Sequence, residues 1–151
     1  MAKDIRLVPY EKAHLDLLEA NPADIERYGG ISKMQDDPLA EHGICFTAIS
    51  DGRILVVGGI LMVTMHTGYG WTIVSKYAKD YGRDVFRVVK NQLESMMKDL
   101  QLHRIETANL ADAPEHHRWC RLLGFREEGP LWHYNDKKRN YIRFAKFIGI
   151  S

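Results

Sequence analysis

The segment RIETANLADAPEHHRWCRLLGFREEG, which runs from Arg104 to Gly129, decides the fold. Its first seven residues, Arg104 to Leu110, read as a short strand, and a helical pattern follows from about Ala113 to Leu123. A second strand, Phe125 to Tyr134, begins with charged residues. The segment therefore predicts a strand, a short helix and a further strand in close succession.

Both ends of that helix have recognisable signals in the sequence. Asp112 and Glu115 stand at the spacing of a capping box, and Pro114 falls in the first turn, where its missing N–H is tolerated. Gly124 follows the last apolar position and suits the left-handed conformation of a helix stop. We therefore expect Asp112 to cap the helix and Gly124 to end it.

The rest of the chain alternates between strand and helix patterns. Apolar and β-branched runs bounded by turn residues predict strands, and apolar residues at three- and four-residue spacing predict helices. The further predicted strands are Ile5–Val8, Ile44–Ile49, Ile54–Thr64, Tyr69–Val74 and Tyr141–Phe147; the predicted helices are Glu11–Ala20, Ala23–Tyr28 and a long one that starts near Gly82 to Asp84 and reaches Leu100. Ser75–Tyr81 is predicted as a polar loop.

This order of elements predicts an α/β (α+β) fold. The hairpin through the Ser50–Arg53 turn favours antiparallel pairing, whereas the strand–helix–strand order that ends at Arg104 favours one parallel step. We expect a mixed, mostly antiparallel central sheet of about seven strands with helices on both faces, in a single domain over residues 1–151. Gly58 and Gly59, inside one strand, indicate a bulge or a close backbone approach.

The composition is that of an ordinary globular protein. The 151 residues are 45% hydrophobic and 27% charged, with a formal net charge of +1, so we expect no general attraction to nucleic acid or to an anionic membrane. The first residues lack the apolar run of a signal peptide, which makes the cytoplasm the expected location. The two cysteines, Cys45 and Cys120, have neither metal-ligand spacing nor a disulfide pattern.

The helix end RWCRLLGF, followed by REEG, resembles the C-terminal half of the GNAT (GCN5-related N-acetyltransferase) superfamily. The resemblance extends from Ile44 to Phe147 at least, and the short chain is similar to phage and bacterial members. It implies the GNAT fold, acetyl-CoA as the cofactor and transfer of acetyl to an amine of a small molecule or protein. It also implies that the sheet splays between Tyr69–Val74 and Arg104–Leu110, where the cofactor would lie.

The resemblance places a pyrophosphate-binding loop at KDYGRD, residues 79 to 84. The family pattern is a Gln or Arg, two residues, Gly, one residue, and Gly or Ala. Gly82 matches the first glycine, Lys79 replaces the leading basic residue, and Arg83 adds positive charge. A glycine turn that opens a helix suits this task, because it offers unpaired backbone N–H groups to phosphate.

Asp84 departs from this pattern and leaves two interpretations open. Its carboxylate stands where the family has Gly or Ala, and a negative charge close to phosphate opposes binding. Because Asp is also a favourable N-cap residue, its side chain is able to occupy the N–H groups that phosphate would use. The site is therefore either a working acetyl-CoA loop or a self-capped helix with a plugged site.

The candidate catalytic positions follow from the same resemblance. Backbone N–H groups near Ile73 or Val74 would hold the thioester carbonyl oxygen. The position of the usual tyrosine acid is Cys120, whose thiol either protonates the leaving thiolate or is a small core residue. Asn109 is a candidate for binding the pantetheine arm or is a turn residue.

The base that deprotonates the amine has two candidates. Glu106 lies on the predicted fifth strand, where it is either the base, acting directly or through water, or a solvated or salt-bridged residue. His66, beside the fourth strand, is the second candidate. We predict no metal site.

The acceptor amine is expected to meet the segment Ala20–Gly43 and the terminal hairpin. The segment is acidic through Asp24, Glu26, Asp36, Asp37 and Glu41, which favours either a cationic amine or a solvated loop. The alternative function is a catalytically silent GNAT-fold protein of phage type, acting as a structural or interaction module in the host cytoplasm or the virion. The terminal hairpin is the candidate surface for a homodimer, and a nucleic-acid partner is not expected.

Overall fold

A computed structural model of the protein describes residues 4–20 and 44–148. The predicted helix Ala23–Tyr28 and most of the acidic segment Ala20–Gly43 lie outside these residues. The strands are β1 (Arg6–Pro9), β2 (Ile44–Ser50), β3 (Arg53–Met62), β4 (Thr67–Val74), β5 (Arg104–Leu110), β6 (Arg126–Leu131) and β7 (Tyr141–Phe147); the helices are α1 (Ala13–Leu17), α2 (Arg83–Asp99) and α3 (Pro114–Leu122), with a 3₁₀ turn at Ala78–Tyr81.

The seven strands form one sheet in the order β1-β2-β3-β4-β5-β7-β6. The pairs β1–β2, β2–β3, β5–β7 and β6–β7 are antiparallel, and β4 pairs with β5 in parallel. The parallel register runs from Thr67 opposite Arg104 to Tyr69 opposite Glu106. The predicted fold class, a mixed and mostly antiparallel sheet of seven strands with helices, is confirmed.

The chain divides into two compact units, and the first takes residues 4–20, 44–61 and 70–96 of the described chain. Seven consecutive residues of β3, Ile54 to Ile60, are buried, so both faces of that strand are covered. Gly58 and Gly59 are close-approach positions: a Cβ on Gly59 would stand 2.5 Å from the carbonyl oxygen of Ile44. The register shift of this hairpin lies elsewhere, at Ala48 and Ile49.

The second unit takes residues 62–69 and 97–148 of the described chain. Its core includes Ile105 on β5 with Phe144 and Ala145 on β7, all fully buried. Side chains alternate between the faces of a strand, and β5 pairs with β7 in an unbroken register. The odd-numbered residues of β5 therefore share one face and the even-numbered residues the other.

The predicted helix ends have different outcomes. Gly124 has φ +95°, and the N–H of the next residue, Phe125, donates to the carbonyl of Cys120 at 2.9 Å, so the predicted stop is confirmed. The predicted capping box is wrong, because the N-cap residue is Ala113 and no side chain caps it. Asp112 instead accepts two hydrogen bonds from Arg139.

The other differences concern the lengths of elements. Helix α1 covers five residues, Ala13–Leu17, where a longer helix was predicted. The predicted polar loop Ser75–Tyr81 ends in the 3₁₀ turn Ala78–Tyr81, with Ala78 and Tyr81 buried. Among the described residues, no helix has both the length and the apolar character needed to cross a membrane.

Candidate functional site

The connection between β4 and α2 contains a glycine turn that opens a helix. The 3₁₀ turn ends at Gly82, whose φ of 51° and ψ of −124° suit glycine and disfavour other residues. A Cβ at Gly82 would meet nothing within 4 Å, so the position is open. The 17-residue helix α2 begins at the next residue, Arg83, and its first N–H groups and dipole favour a negative group.

The charges around this turn are mixed. Lys79 and Arg83 are exposed and supply positive charge on either side of Gly82. Asp84 lies in the first turn of α2, with 22% of its side chain exposed and its Oδ1 3.9 Å from Nη1 of Arg87. The carboxylate is therefore partly offset by a cation one helical turn away, at a spacing where side chains meet on a helix.

Two predicted site residues, Ile73 and Val74, end strand β4. Ile73 is buried and Val74 is half-buried. The next residue, Ser75, leaves the strand and donates its N–H to the carbonyl of Leu55 at 2.8 Å. These positions therefore lead directly into the connection that contains Gly82.

In the second unit, Asn109 and Cys120 are in contact. The side-chain amide of Asn109, on β5, donates to Sγ of Cys120, on α3, at 2.9 Å, and both residues are buried. Strand β5 and helix α3 are therefore linked by a polar contact between two residues that were predicted for the site. A buried polar group with a fixed partner has a defined orientation.

Glu106 lies in a network of arginines. Its Oε2 accepts from Arg104 at 2.9 Å, and its Oε1 lies 2.7 Å from Nη1 of Arg143. Arg104 also donates two hydrogen bonds to Glu128, one of 2.8 Å. These bonds lower the pKa of Glu128, although burial opposes the shift, and they raise the pKa of Arg104. This is the salt-bridged interpretation of Glu106, in which both carboxylate oxygens already have partners.

The two predicted catalytic residues, Glu106 and Cys120, do not come together. Glu106 is an even-numbered residue of β5, whereas Asn109, the partner of Cys120, is odd-numbered. The unbroken register of β5 therefore puts Glu106 and Asn109 on opposite faces of the sheet. The geometry does not support a direct pairing of Glu106 with the Cys120 thiol.

His66 directly precedes β4. Its Nδ1 lies 2.9 Å from the carbonyl oxygen of Gln101, and because a carbonyl only accepts, Nδ1 carries the proton. Its ring stacks on His103, with 4.3 Å between centroids. The contacts of His66 are therefore with residues of its own unit, Gln101 and His103.

The predicted site residues thus fall into two groups. Ile73, Val74 and the loop 79–84 belong to the first unit, and Asn109, Cys120 and Glu106 belong to the second. Within the part of the chain that the structure describes, no three His, Cys, Asp or Glu side chains form a group able to hold a metal ion.

Sequence reasoning missed the contacts that support the loop. The hydroxyl of Tyr81 donates to Oδ2 of Asp51 at 2.9 Å, and the guanidinium of Arg53 lies 4.3 Å from the ring centroid of Tyr77. Tyr77 and Tyr81, which lie within the predicted polar loop, were the available signal, because aromatic rings are usually buried or in contact with other residues.

Comparisons with known proteins place this geometry in a known fold. No protein-family model and no curated protein matches the sequence. The structure is similar to an IAA acetyltransferase from Bacillus cereus ATCC 14579, at 16% identity and a TM-score of 0.74, covering 96% of this chain and 100% of that one. It is similar to a ribosomal-protein-S5-alanine acetyltransferase from Vibrio fischeri, at 15% identity and a TM-score of 0.69, covering 99% and 96%.

A third similar structure is a variant of the spermidine N-acetyltransferase from Vibrio cholerae. It is 13% identical, with a TM-score of 0.70, and the match covers 95% of this chain and 93% of that one. At these identities the likeness concerns the fold. The chain has the fold of the GNAT N-acetyltransferases, as the sequence resemblance predicts.

Proposed function

We propose that this protein is an acetyl-CoA-dependent N-acetyltransferase. The observation that carries the proposal is the open turn at Gly82, which leads into the N-terminus of α2 between two exposed cations, Lys79 and Arg83. A pyrophosphate needs backbone N–H donors and positive charge, and this connection offers both. The GNAT fold of the chain supports the same cofactor.

The residues present fit coenzyme A. Backbone N–H groups in the first turn of α2, from Arg83 onward, would hold the pyrophosphate, because the N–H of Gly82 already donates to the carbonyl of Lys79. Lys79 and Arg83 would be the counter-charges. Acetyl-CoA would supply the activated acetyl thioester. A backbone N–H near Ile73 or Val74 would donate to the thioester carbonyl oxygen as negative charge develops there.

Cys120 is the proposed acid. Its thiol would donate a proton to the leaving sulfur as the C–S bond breaks and the amine nitrogen bonds to the acetyl carbon, and would then regain a proton from solvent. The hydrogen bond from Asn109 to Sγ supports this role, because it fixes the position of the sulfur. Contact of Asn109 with the pantetheine arm stays a prediction.

The base remains a proposal with two candidates. Glu106 would act through water, since Arg104 and Arg143 already contact its two oxygens. His66 carries its proton on Nδ1, which leaves Nε2 of the neutral ring as a basic atom, but it precedes β4. An amine that enters already neutral would still lose one N–H proton as the amide forms, to one of these residues or to solvent.

The proposed acceptor is an amine of a small molecule or a protein. Two proteins of similar fold are named as acetyltransferases of spermidine and of an alanine of ribosomal protein S5. The acidic segment that favours a cationic amine lies outside the described residues. The cytoplasmic location and the homodimer stay predictions.

The test is to assay turnover with a panel of amines, using release of the coenzyme A thiol as the readout. Gly82→Trp adds a large side chain at an open turn and forces an unfavourable φ, so it should abolish turnover. The matched control is Gly129→Trp, which makes the same change at a second positive-φ glycine with nothing within 4 Å of its Cβ. Turnover that survives Gly82→Trp refutes the role of the loop.

The second candidate is a catalytically silent GNAT-fold module. Asp84, half-buried at the first turn of α2, and the replacement of the usual tyrosine by Cys120 favour it. This candidate predicts no thiol release with any amine, and no thermal stabilisation by acetyl-CoA.

A further inference from the structure

The turn between β2 and β3 contacts the 3₁₀ turn that leads to Gly82. Tyr81 is 6% exposed, and its hydroxyl donates to Oδ2 of Asp51 at 2.9 Å. Burial and the bond to Asp51 raise the pKa of Tyr81, so the phenol stays protonated and keeps donating near neutral pH. Asp51 itself has φ +53°, a conformation that Asp, Asn and Gly tolerate.

A second contact holds the start of the same 3₁₀ turn. Tyr77, which precedes Ala78, has the guanidinium of Arg53 4.3 Å from its ring centroid. The N–H of Tyr77 donates to Oγ of Ser75 at 3.1 Å. Asp51 and Arg53 belong to the same turn, so this one turn contacts both the residue before the 3₁₀ segment, Tyr77, and its last residue, Tyr81.

Such support matters because the segment is weak on its own. A 3₁₀ turn of four residues has poor hydrogen-bond geometry, and glycine loses more conformational freedom than other residues when it is fixed. The N–H of Gly82 makes a long bond of 3.3 Å to Lys79. Backbone donors that must meet an anion bind it best when they are already in place.

We propose that Asp51 and Tyr81 form an anchor pair that positions the loop 79–84 for the phosphates of coenzyme A. Both are positioning residues, since they act through Gly82 and the start of α2. The inference rests on the proposed function for its ligand, but the anchoring itself is a property of the free protein.

Four variants separate the anchor from general stability. Tyr81→Phe removes the hydroxyl and keeps the ring. Asp51→Gly removes the acceptor without straining φ, whereas Asp51→Asn keeps both the acceptor and the favourable φ and should behave as wild type. The control is Thr47→Val, which removes a buried hydroxyl in the same unit that bonds to His14.

The first measurement is hydrogen–deuterium exchange of the free protein. Peptides that cover residues 76–84 should exchange about three- to tenfold faster in Tyr81→Phe and Asp51→Gly, as expected for loss of one hydrogen bond. Asp51→Asn and Thr47→Val should leave exchange in these peptides unchanged. Equal exchange in all variants overturns the inference whether or not the protein binds coenzyme A.

The second measurement compares two acetyl donors by calorimetry. The Kd for acetyl-CoA should rise about three- to tenfold in Tyr81→Phe and Asp51→Gly, with no further rise in the double variant. The Kd for S-acetylpantetheine, which lacks the pyrophosphate, should not change. Equal losses for both donors would mean a general structural role and overturn the inference. If wild type binds neither donor, the proposed function fails, and the exchange result still decides the anchor.

Discussion

Replacing Asp84 by Asn should strengthen the binding of acetyl-CoA and weaken the fold. Asp84 lies in the first turn of α2, where the GNAT pattern has Gly or Ala. Its carboxylate interacts favourably with the positive end of the helix dipole, yet it repels the phosphates that the first N–H groups of α2 are proposed to bind. One substitution therefore moves stability and affinity in opposite directions.

The magnitude follows from distance and exposure. Two like unit charges 4 Å apart repel by about 1 kcal/mol in water and by about 4 kcal/mol at an effective dielectric of 20. The burial of most of the Asp84 side chain, which is 22% exposed, favours the higher value, but Nη1 of Arg87 at 3.9 Å offsets part of the charge, so we take the lower value for the expected change. We expect an approximately fivefold lower Kd for acetyl-CoA and a loss of about 0.3–1 kcal/mol in unfolding free energy.

Calorimetric titration at two salt concentrations tests this. The gain in affinity for acetyl-CoA should shrink at high salt, because salt screens the repulsion between charges, with a screening length of about 10 Å at 0.1 M. Glu94→Gln is the matched control: it removes one negative charge ten residues further along α2, about 15 Å away, and should leave the Kd unchanged. If Asp84→Asn leaves the Kd unchanged or raises it, the carboxylate does not face phosphate and the reasoning fails.

Three further predictions concern other parts of the chain. In Glu128→Gln, the unfolding free energy should fall by less than about 1 kcal/mol near neutral pH, since the pair with Arg104 is partly exposed. Because the pKa of Glu128 is lowered in the folded state, its contribution to the unfolding free energy is present above the ordinary value of 4.5 and is lost as pH falls through the folded-state value. If urea titrations show the same difference between wild type and Glu128→Gln at neutral and at strongly acid pH, this prediction is wrong. Gly59→Ala should cost about 1–3 kcal/mol, because its Cβ would lie 2.5 Å from the oxygen of Ile44, and an unchanged melting temperature would exclude the close approach. Cys120→Ala should lower kcat by roughly a hundredfold with little change in the Kd for acetyl-CoA, and an unaltered kcat would leave Cys120 a core residue.

Local patterns in the sequence predict much of the fold. The bounds of β5, Arg104–Leu110, agree between prediction and structure, since a β-rich run there follows the long helix and precedes Pro114. Gly124 ends α3 as expected, because no other residue type takes φ +95° at comparable cost. Even the separation of Glu106 from Asn109 is readable from alternation along one strand.

Contacts between distant residues are what the sequence does not reveal. Asp112 has the spacing of a cap, but both of its carboxylate oxygens accept from Nη2 of Arg139, 27 residues away. The bond from Tyr81 to Asp51 spans 30 residues, and the bond from Asn109 to Cys120 forms only once α3 packs on β5. Each depends on packing, which single-sequence patterns do not specify.

Titration of the wild-type protein with acetyl-CoA tests the central claim most directly. Binding in the micromolar range, lost in Gly82→Trp and retained in Gly129→Trp, is the predicted result. It would mean that the turn into α2 receives phosphate despite Asp84. No heat and no thermal stabilisation at millimolar acetyl-CoA would contradict the claim and favour the silent GNAT-fold module.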